Sequence, residues 1–169
     1  MSMVIDGYFK TLKLAAALLL ATMVLLVFGN VVLRYAFNSG IAVSEELSRW
    51  CFVWLVFTGA IVGMREGAHL GLDSFVKLLP TWGKKACFGL SGALMLFATV
   101  LLGKGSWEQT LINWDTAAPA SGLSVGWFYL VGVVFSISVG LILAVDLARL
   151  LIGGLRDTEL VAVKESEEL

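Results

Sequence analysis

The stretch LAAALLLATMVLLVFGNVVL, residues 14–33, contains no charged side chain over 20 consecutive positions. At about 1.5 Å per residue, a helix of this length spans about 30 Å, which is the thickness of the hydrocarbon core of a bilayer. Because lipid offers the backbone no hydrogen-bonding partner, this stretch is predicted to cross a membrane as an α-helix. It also exceeds the apolar region of a cleaved signal peptide, about 7–15 residues, so we expect the helix to be retained.

The composition of the whole chain agrees with a membrane protein. Of the 169 residues, 59% are apolar and 15% are charged, and the mean hydropathy is +0.89. Soluble domains carry about 45–50% apolar and about 25% charged residues. The net charge of -1 offers no basic surface to nucleic acid. These numbers argue against a soluble enzyme and against a nucleic-acid partner.

Three further charge-poor stretches follow the first one. With their flanking residues, the four spans are expected at about 13–37, 44–67, 82–104 and 124–150. The prediction is an all-α integral membrane protein, a single four-helix domain over residues 1–156 without a cofactor. Residues 106–114 either form a separate helix, since Ser106 and Gln109 resemble a capping box, or extend the third helix.

Two segments outside the spans have their own patterns. Leu72, Phe75, Val76 and Leu79 recur at helical spacing, which predicts a short interfacial helix between the second and third spans, ended by Pro80. Residues 157–169 are acidic and polar and are expected to form a cytoplasmic tail.

The distribution of Lys and Arg predicts the orientation. Nine of the twelve basic residues lie on the side that holds both termini and the loop between the second and third spans. Because basic residues accumulate on the cytoplasmic side, both termini are predicted to be cytoplasmic.

Small residues at intervals of four predict where the helices pack, because small side chains let two backbones approach closely in lipid. The second span carries Gly59, Gly63, Gly67 and Gly71, and the fourth carries Gly132, Ser136, Gly140, Ala144 and Ala148.

Polar residues between the first two spans form a candidate interface with a partner protein. Ser44 is expected to cap the second helix, and Glu45 is expected to pair with Arg49 one turn later. Asn30 and Arg34 lie one turn apart near the end of the first span. Glu46 completes this set.

At the opposite end of the second span, four residues are expected to form a charged cytoplasmic interface: Arg65, Glu66, His69 and Asp73. A metal site is disfavoured there, because a second histidine is missing. No Asp or Glu lies in the middle of a span, so an ion-coupled pump built from this chain alone would lack its carrier group. The chain is therefore interpreted as a scaffold. The alternative is a self-sufficient homo-oligomeric transporter or channel, and a third interpretation is a membrane anchor of an enzyme.

Residues 30–73 read NVVLRYAFNSGIAVSEELSRWCFVWLVFTGAIVGMREGAHLGLD. This stretch resembles the small membrane subunit, the DctQ family, of tripartite ATP-independent periplasmic (TRAP) transporters. The matching elements are Arg34-Tyr35, Ser44-Glu45-Glu46, the run 54–59, Arg65, and His69 followed by Asp73. The turn at 119–127 matches more weakly, since Ser124 stands where a proline often follows Gly-Leu, and the fourth span lacks the family's usual proline.

The resemblance implies a function as well as a fold. In that family a large, multi-span subunit carries the substrate and sodium sites, and a periplasmic binding protein delivers an organic acid, often a dicarboxylate or a sialic acid. The small subunit braces the large one. The resemblance thus implies a multi-pass protein of the bacterial inner membrane whose partners are the large permease subunit, the binding protein and membrane lipids.

Overall fold

The computed structural model describes residues 2–66 and 80–152, which form four α-helices. They are α1 (Ser2–Phe37), α2 (Ala42–Arg65), α3 (Thr81–Ile112) and α4 (Gly126–Ile152). Each helix is long and apolar enough to cross a membrane. The predicted all-α, four-span fold is therefore confirmed. The predicted interfacial helix and acidic tail, at 72–79 and 157–169, fall outside the described residues.

Two helices are longer than the apolar runs alone indicate. α1 begins at Ser2, well before residue 13, and α3 continues to Ile112. Ser106 lies inside α3, where its carbonyl accepts a hydrogen bond from the Thr110 hydroxyl at 2.7 Å. Residues 106–112 therefore extend the third helix, and the alternative of a separate, capped helix is wrong.

The helices lie side by side in the order α1, α2, α4, α3. α1 packs against α2, α3 packs against α4, and α2 joins the two pairs by packing against α4. The contact between α2 and α4 includes a pair of rings, Phe57 and Phe135, whose centroids are 5.3 Å apart.

The buried core lies at the junction of three helices. Ile61 of α2 packs with Val139 and Leu143 of α4, and Phe9 from the first turns of α1 completes the cluster. Tyr8 of α1 and Ser138 of α4 share a hydrogen bond of 2.8 Å between their hydroxyls. These contacts pack the first turns of α1 against the other helices, which explains why α1 begins ahead of its apolar run.

α3 and α4 fit together through small residues on both helices. A Cβ at Gly132 would lie 2.9 Å from the Ser106 Cβ, and a Cβ at Gly103 would lie 2.9 Å from the Ser136 Cβ. Both distances are shorter than a carbon–carbon contact allows. Gly132 and Gly103 therefore mark where the two helices approach most closely.

The predicted small-residue stripes contribute to packing only in part. On α4, Gly132 is buried and Ser136 is half-buried, but Ala144 and Ala148 are exposed. A step of four residues overshoots the helical period by about 40°, so the stripe turns away from α3. On α2, Gly63 is half-buried and Gly59 is exposed. Gly67 and Gly71 lie outside the described residues.

We expect Gly132→Ala to destabilise the protein and Gly140→Ala to leave its stability unchanged or raised. The new methyl group at 132 collides with Ser106, and overpacking of this kind costs about 1–3 kcal/mol. At Gly140 the nearest atom to a Cβ is the Thr99 Cγ2, at an ordinary 3.9 Å. Unfolding in mixed micelles measures the difference.

The compensating variant is Gly132→Ala combined with Ser106→Gly, which should recover most of the loss. Equal stability of the two alanine variants would contradict the assignment of Gly132 to the closest approach.

Candidate functional site

Two adjacent carboxylates, Glu45 and Glu46, lie in the first turns of α2. Consecutive side chains on an α-helix point about 100° apart. Glu45 and Glu46 therefore reach different neighbours, and together with those neighbours they form the polar cluster at the start of α2.

Glu45 binds the end of α1. Its Oε1 accepts a hydrogen bond from Arg34 at 2.7 Å and another from the Asn30 side-chain amide at 3.2 Å. The predicted Glu45–Arg49 pair is wrong, because Glu45 pairs with Arg34 instead. The short connection after α1 brings these two side chains within reach of each other. The side chains of Arg34 and Glu45 are 60% and 52% exposed, so this ion pair contributes at most about 1 kcal/mol.

Asn30 and Ser44 connect α1 to α2 through two further hydrogen bonds. The buried Asn30 accepts a hydrogen bond from the Ile41 backbone N–H at 2.7 Å. Ser44 donates its hydroxyl to the Leu26 carbonyl of α1, also at 2.7 Å. Ile41, not Ser44, occupies the N-cap position of α2. The predicted capping role of Ser44 is wrong, because the side chain reaches across to the neighbouring helix.

Glu46 binds the connection between α3 and α4. Its carboxylate accepts hydrogen bonds from the backbone N–H groups of Ala120 at 3.0 Å and Ser121 at 3.2 Å, and from the Ser121 hydroxyl. Glu46 is only 8% exposed. A buried carboxylate needs such donors, because desolvation without them is costly. Glu46 is therefore satisfied within the chain.

The connection that Glu46 binds is itself ordered by backbone contacts. Ala117 and Ser124 form an antiparallel bridge, and the Ala118 N–H donates to the Leu123 carbonyl at 2.8 Å. Gly122, which lies in the turn, has a φ of 71°, a conformation that glycine adopts without strain. The sequence indicates a turn in this segment but not that Ala120 and Ser121 bind Glu46. The only signal was the unexplained second acid of the Ser44-Glu45-Glu46 sequence.

The polar cluster borders a cleft of about 200 Å³ between α1 and α2. Arg34 and Tyr35 lie on its α1 side, and Ser48 lies on its α2 side. Tyr35 is 85% exposed, so it projects from the surface of the chain. Arg34, Tyr35 and Arg49 are thus among the exposed polar groups that a partner can reach at this end.

At the opposite end of α2, two ion pairs bind the first turns of α1. Arg65 pairs with Asp6, donates to the Ile5 carbonyl at 3.3 Å and lies over the Phe9 ring, 4.1 Å from its centroid. Glu66 pairs with Lys13. Both predicted residues therefore bind within the chain. The predicted His69 and Asp73 lie outside the described residues.

Comparison with known proteins gives a consistent result. The family described as "Tripartite ATP-independent periplasmic transporters, DctQ component" matches residues 23–153. A TRAP transporter small permease protein of Haemophilus influenzae is 41% identical over 134 residues, which cover 79% of this chain and 83% of the relative.

Two further relatives are similar to the chain. A second small permease protein of Haemophilus influenzae is 36% identical over 76% of this chain and 78% of its own length. The C4-dicarboxylate TRAP transporter small permease protein DctQ of Vibrio cholerae is 34% identical over 54% of this chain and 40% of its own length.

We expect Glu46→Ala to release the α3–α4 connection and to lower the free energy of unfolding, because two backbone N–H groups and a hydroxyl lose their charged acceptor. The amides of Ala120 and Ser121 should then exchange with solvent faster, as hydrogen–deuterium exchange measures. Glu108→Ala is the matched control, since Glu108 forms only an exposed pair with Lys104 at 3.9 Å. Unchanged protection of both amides in Glu46→Ala would contradict the role of Glu46.

Proposed function

The chain belongs to the DctQ family of tripartite ATP-independent periplasmic transporters and is a small-permease-type, multi-pass protein of the bacterial inner membrane; on this premise we propose that it scaffolds the large permease subunit. The transport sites would then lie on the large subunit. Sodium would drive the uptake of an organic acid that a periplasmic binding protein delivers.

The scaffold proposal rests on how few residues of the four helices are buried against one another. In an apolar stretch of 18 residues within each of the four candidate spans, only 6% to 22% of the residues are buried within the chain. Four helices in a row leave two broad apolar faces, and a partner subunit can cover one of them. Charged side chains of the described helices lie within about three turns of a helix end, so the middle of each span offers no acidic carrier group.

The substrate proposed is an organic acid of the dicarboxylate or sialic acid class. The name of one similar protein, a C4-dicarboxylate TRAP transporter subunit, supports the dicarboxylate class, and the sialic acid class is proposed from the family resemblance alone. We also propose that both termini are cytoplasmic, which places the polar cluster at the start of α2 on the periplasmic side, where the binding protein docks.

Arg34 is the residue that we propose for contact with the large subunit or the binding protein. Its guanidinium is exposed beside Tyr35 at the edge of the cleft. Charges at the solvated edge of an interface guide the encounter of two proteins and fix their relative orientation. Glu46 is no longer a candidate for contact with a partner, because its carboxylate is bound within the chain. Among the predicted packing residues, Gly59, Ala144 and Ala148 remain exposed and are proposed to face the partner.

We expect this chain in proteoliposomes to transport nothing alone, and to support sodium-dependent uptake when the large subunit and the loaded binding protein are added. Arg34→Glu should reduce co-purification with the large subunit and lower uptake. Glu45→Gln breaks the same internal ion pair but keeps the Arg34 charge, so it should assemble normally.

Two results would contradict the proposal. Organic acid uptake by this chain alone would favour the self-sufficient transporter. Equal loss of assembly in Arg34→Glu and Glu45→Gln would mean that Arg34 acts only within the chain.

A further inference from the structure

A groove of about 500 Å³ runs along α4 between α2 and α3. It exists because α2 and α3 both pack against α4. Val53 and Phe57 line its α2 side, Leu101 and Leu102 its α3 side, and Phe128 and Tyr129 its α4 side. Leu101 is 54% exposed, so this groove, called here the α2–α3 groove, is open at the surface of the four-helix domain.

A second cleft, of about 260 Å³, continues the groove toward the start of α2. It is lined by Arg49, Trp50 and Pro119, and it shares Phe128 and Tyr129 with the α2–α3 groove. Arg49, Val53 and Phe57 are spaced four residues apart on α2, so they lie along one side of the helix. The two spaces are therefore neighbours along α2 that share the Phe128 and Tyr129 rings, and together they are called here the path, with Arg49 at its outer end.

Polarity falls in a fixed order on the α2 and α4 sides of this path, whereas Ser106, Glu108 and Gln109 line the α3 side of the groove. The mouth holds the exposed guanidinium of Arg49, while its neighbour Glu46 is already bound to the α3–α4 connection. Next come the rings of Trp50 and Phe128, with centroids 6.1 Å apart, and of Tyr129, whose centroid is 5.4 Å from that of Phe128. Below them the groove is lined by Val53 and Phe57.

The dimensions of the path fit one leaflet of a bilayer. Arg49 and Phe57 are eight residues apart, which corresponds to about 12 Å along the helix axis. Half of the hydrocarbon core measures about 15 Å. Tryptophan and tyrosine favour the boundary between headgroups and hydrocarbon, which is the depth that the ring cluster would then occupy.

We propose that the α2–α3 groove binds one phospholipid, with its phosphate on Arg49 and an acyl chain between α2 and α3. The guanidinium is suited to a phosphate, because its planar set of N–H donors matches the phosphate oxygens. An apolar groove in a membrane gains dispersion contacts when hydrocarbon fills it, and Gly105 in its wall leaves room, since nothing lies within 4 Å of a Cβ there. This inference is independent of the proposed function.

The test uses the full chain in nanodiscs that contain phosphatidylglycerol with a photoreactive diazirine on the acyl chain. After irradiation, peptide mass spectrometry maps the labelled residues. We expect labelling to concentrate on Val53, Phe57 and Leu101. Gly105→Leu fills the groove without a backbone clash and should reduce this labelling at least several-fold, and Arg49→Gln should also reduce it.

Gly29→Leu is the matched control. Nothing lies within 4 Å of a Cβ at Gly29, which is about two turns before the end of α1 and does not line the groove, so groove labelling should stay unchanged. The proposal is overturned if Gly105→Leu labels the groove as strongly as Gly29→Leu does, or if labelling is uniform over the lipid-facing helices. It is also overturned if the large subunit abolishes groove labelling and Gly105→Leu abolishes assembly, because the groove would then be a protein interface.

Discussion

Glu45 and Glu46 connect α2 to both of its neighbours, and the arrangement of the other helices depends on these two carboxylates. Glu45 binds Asn30 and Arg34 of α1, whereas Glu46 binds the backbone of the connection between α3 and α4. Of the two, Glu46 contributes more, because Glu46 is buried and accepts three hydrogen bonds, while the Arg34–Glu45 pair is exposed. One turn of α2 thus contacts α1 on one side and the α3–α4 connection on the other.

The later turns of α2 also pack against its neighbours. Phe57 packs on Phe135, and Ile61 packs in the core with Val139, so α2 contacts α4 over most of its length. At the far end, Arg65 and Glu66 bind the first turns of α1. A row built around one shared helix leaves broad apolar faces and the α2–α3 groove. Both features suit a subunit that works by contact with other molecules in the membrane.

The fold could be predicted from the sequence because bilayer thickness fixes the length of a charge-free run, as residues 14–33 illustrate. The residues of the polar cluster could be predicted from the sequence, but the contacts between them could not. Neither the Arg34–Glu45 pair nor the binding of Glu46 to Ala120 follows from local spacing, since the second contact joins residues 74 positions apart. The small-residue spacing likewise could not distinguish Gly132, at a close approach, from Gly140, which has ordinary contacts.

The central claim is that α2 holds the two helix pairs in one fixed arrangement without a partner subunit. Double electron–electron resonance measures it directly, with spin labels at Phe28 of α1 and Leu94 of α3, both exposed, and with Cys51 and Cys87 replaced by serine. α1 and α3 lie at opposite ends of the row, so their separation reports on both junctions of α2. We expect a single narrow distance distribution for this chain alone in nanodiscs. A broad distribution that narrows only when the large subunit is added would contradict it.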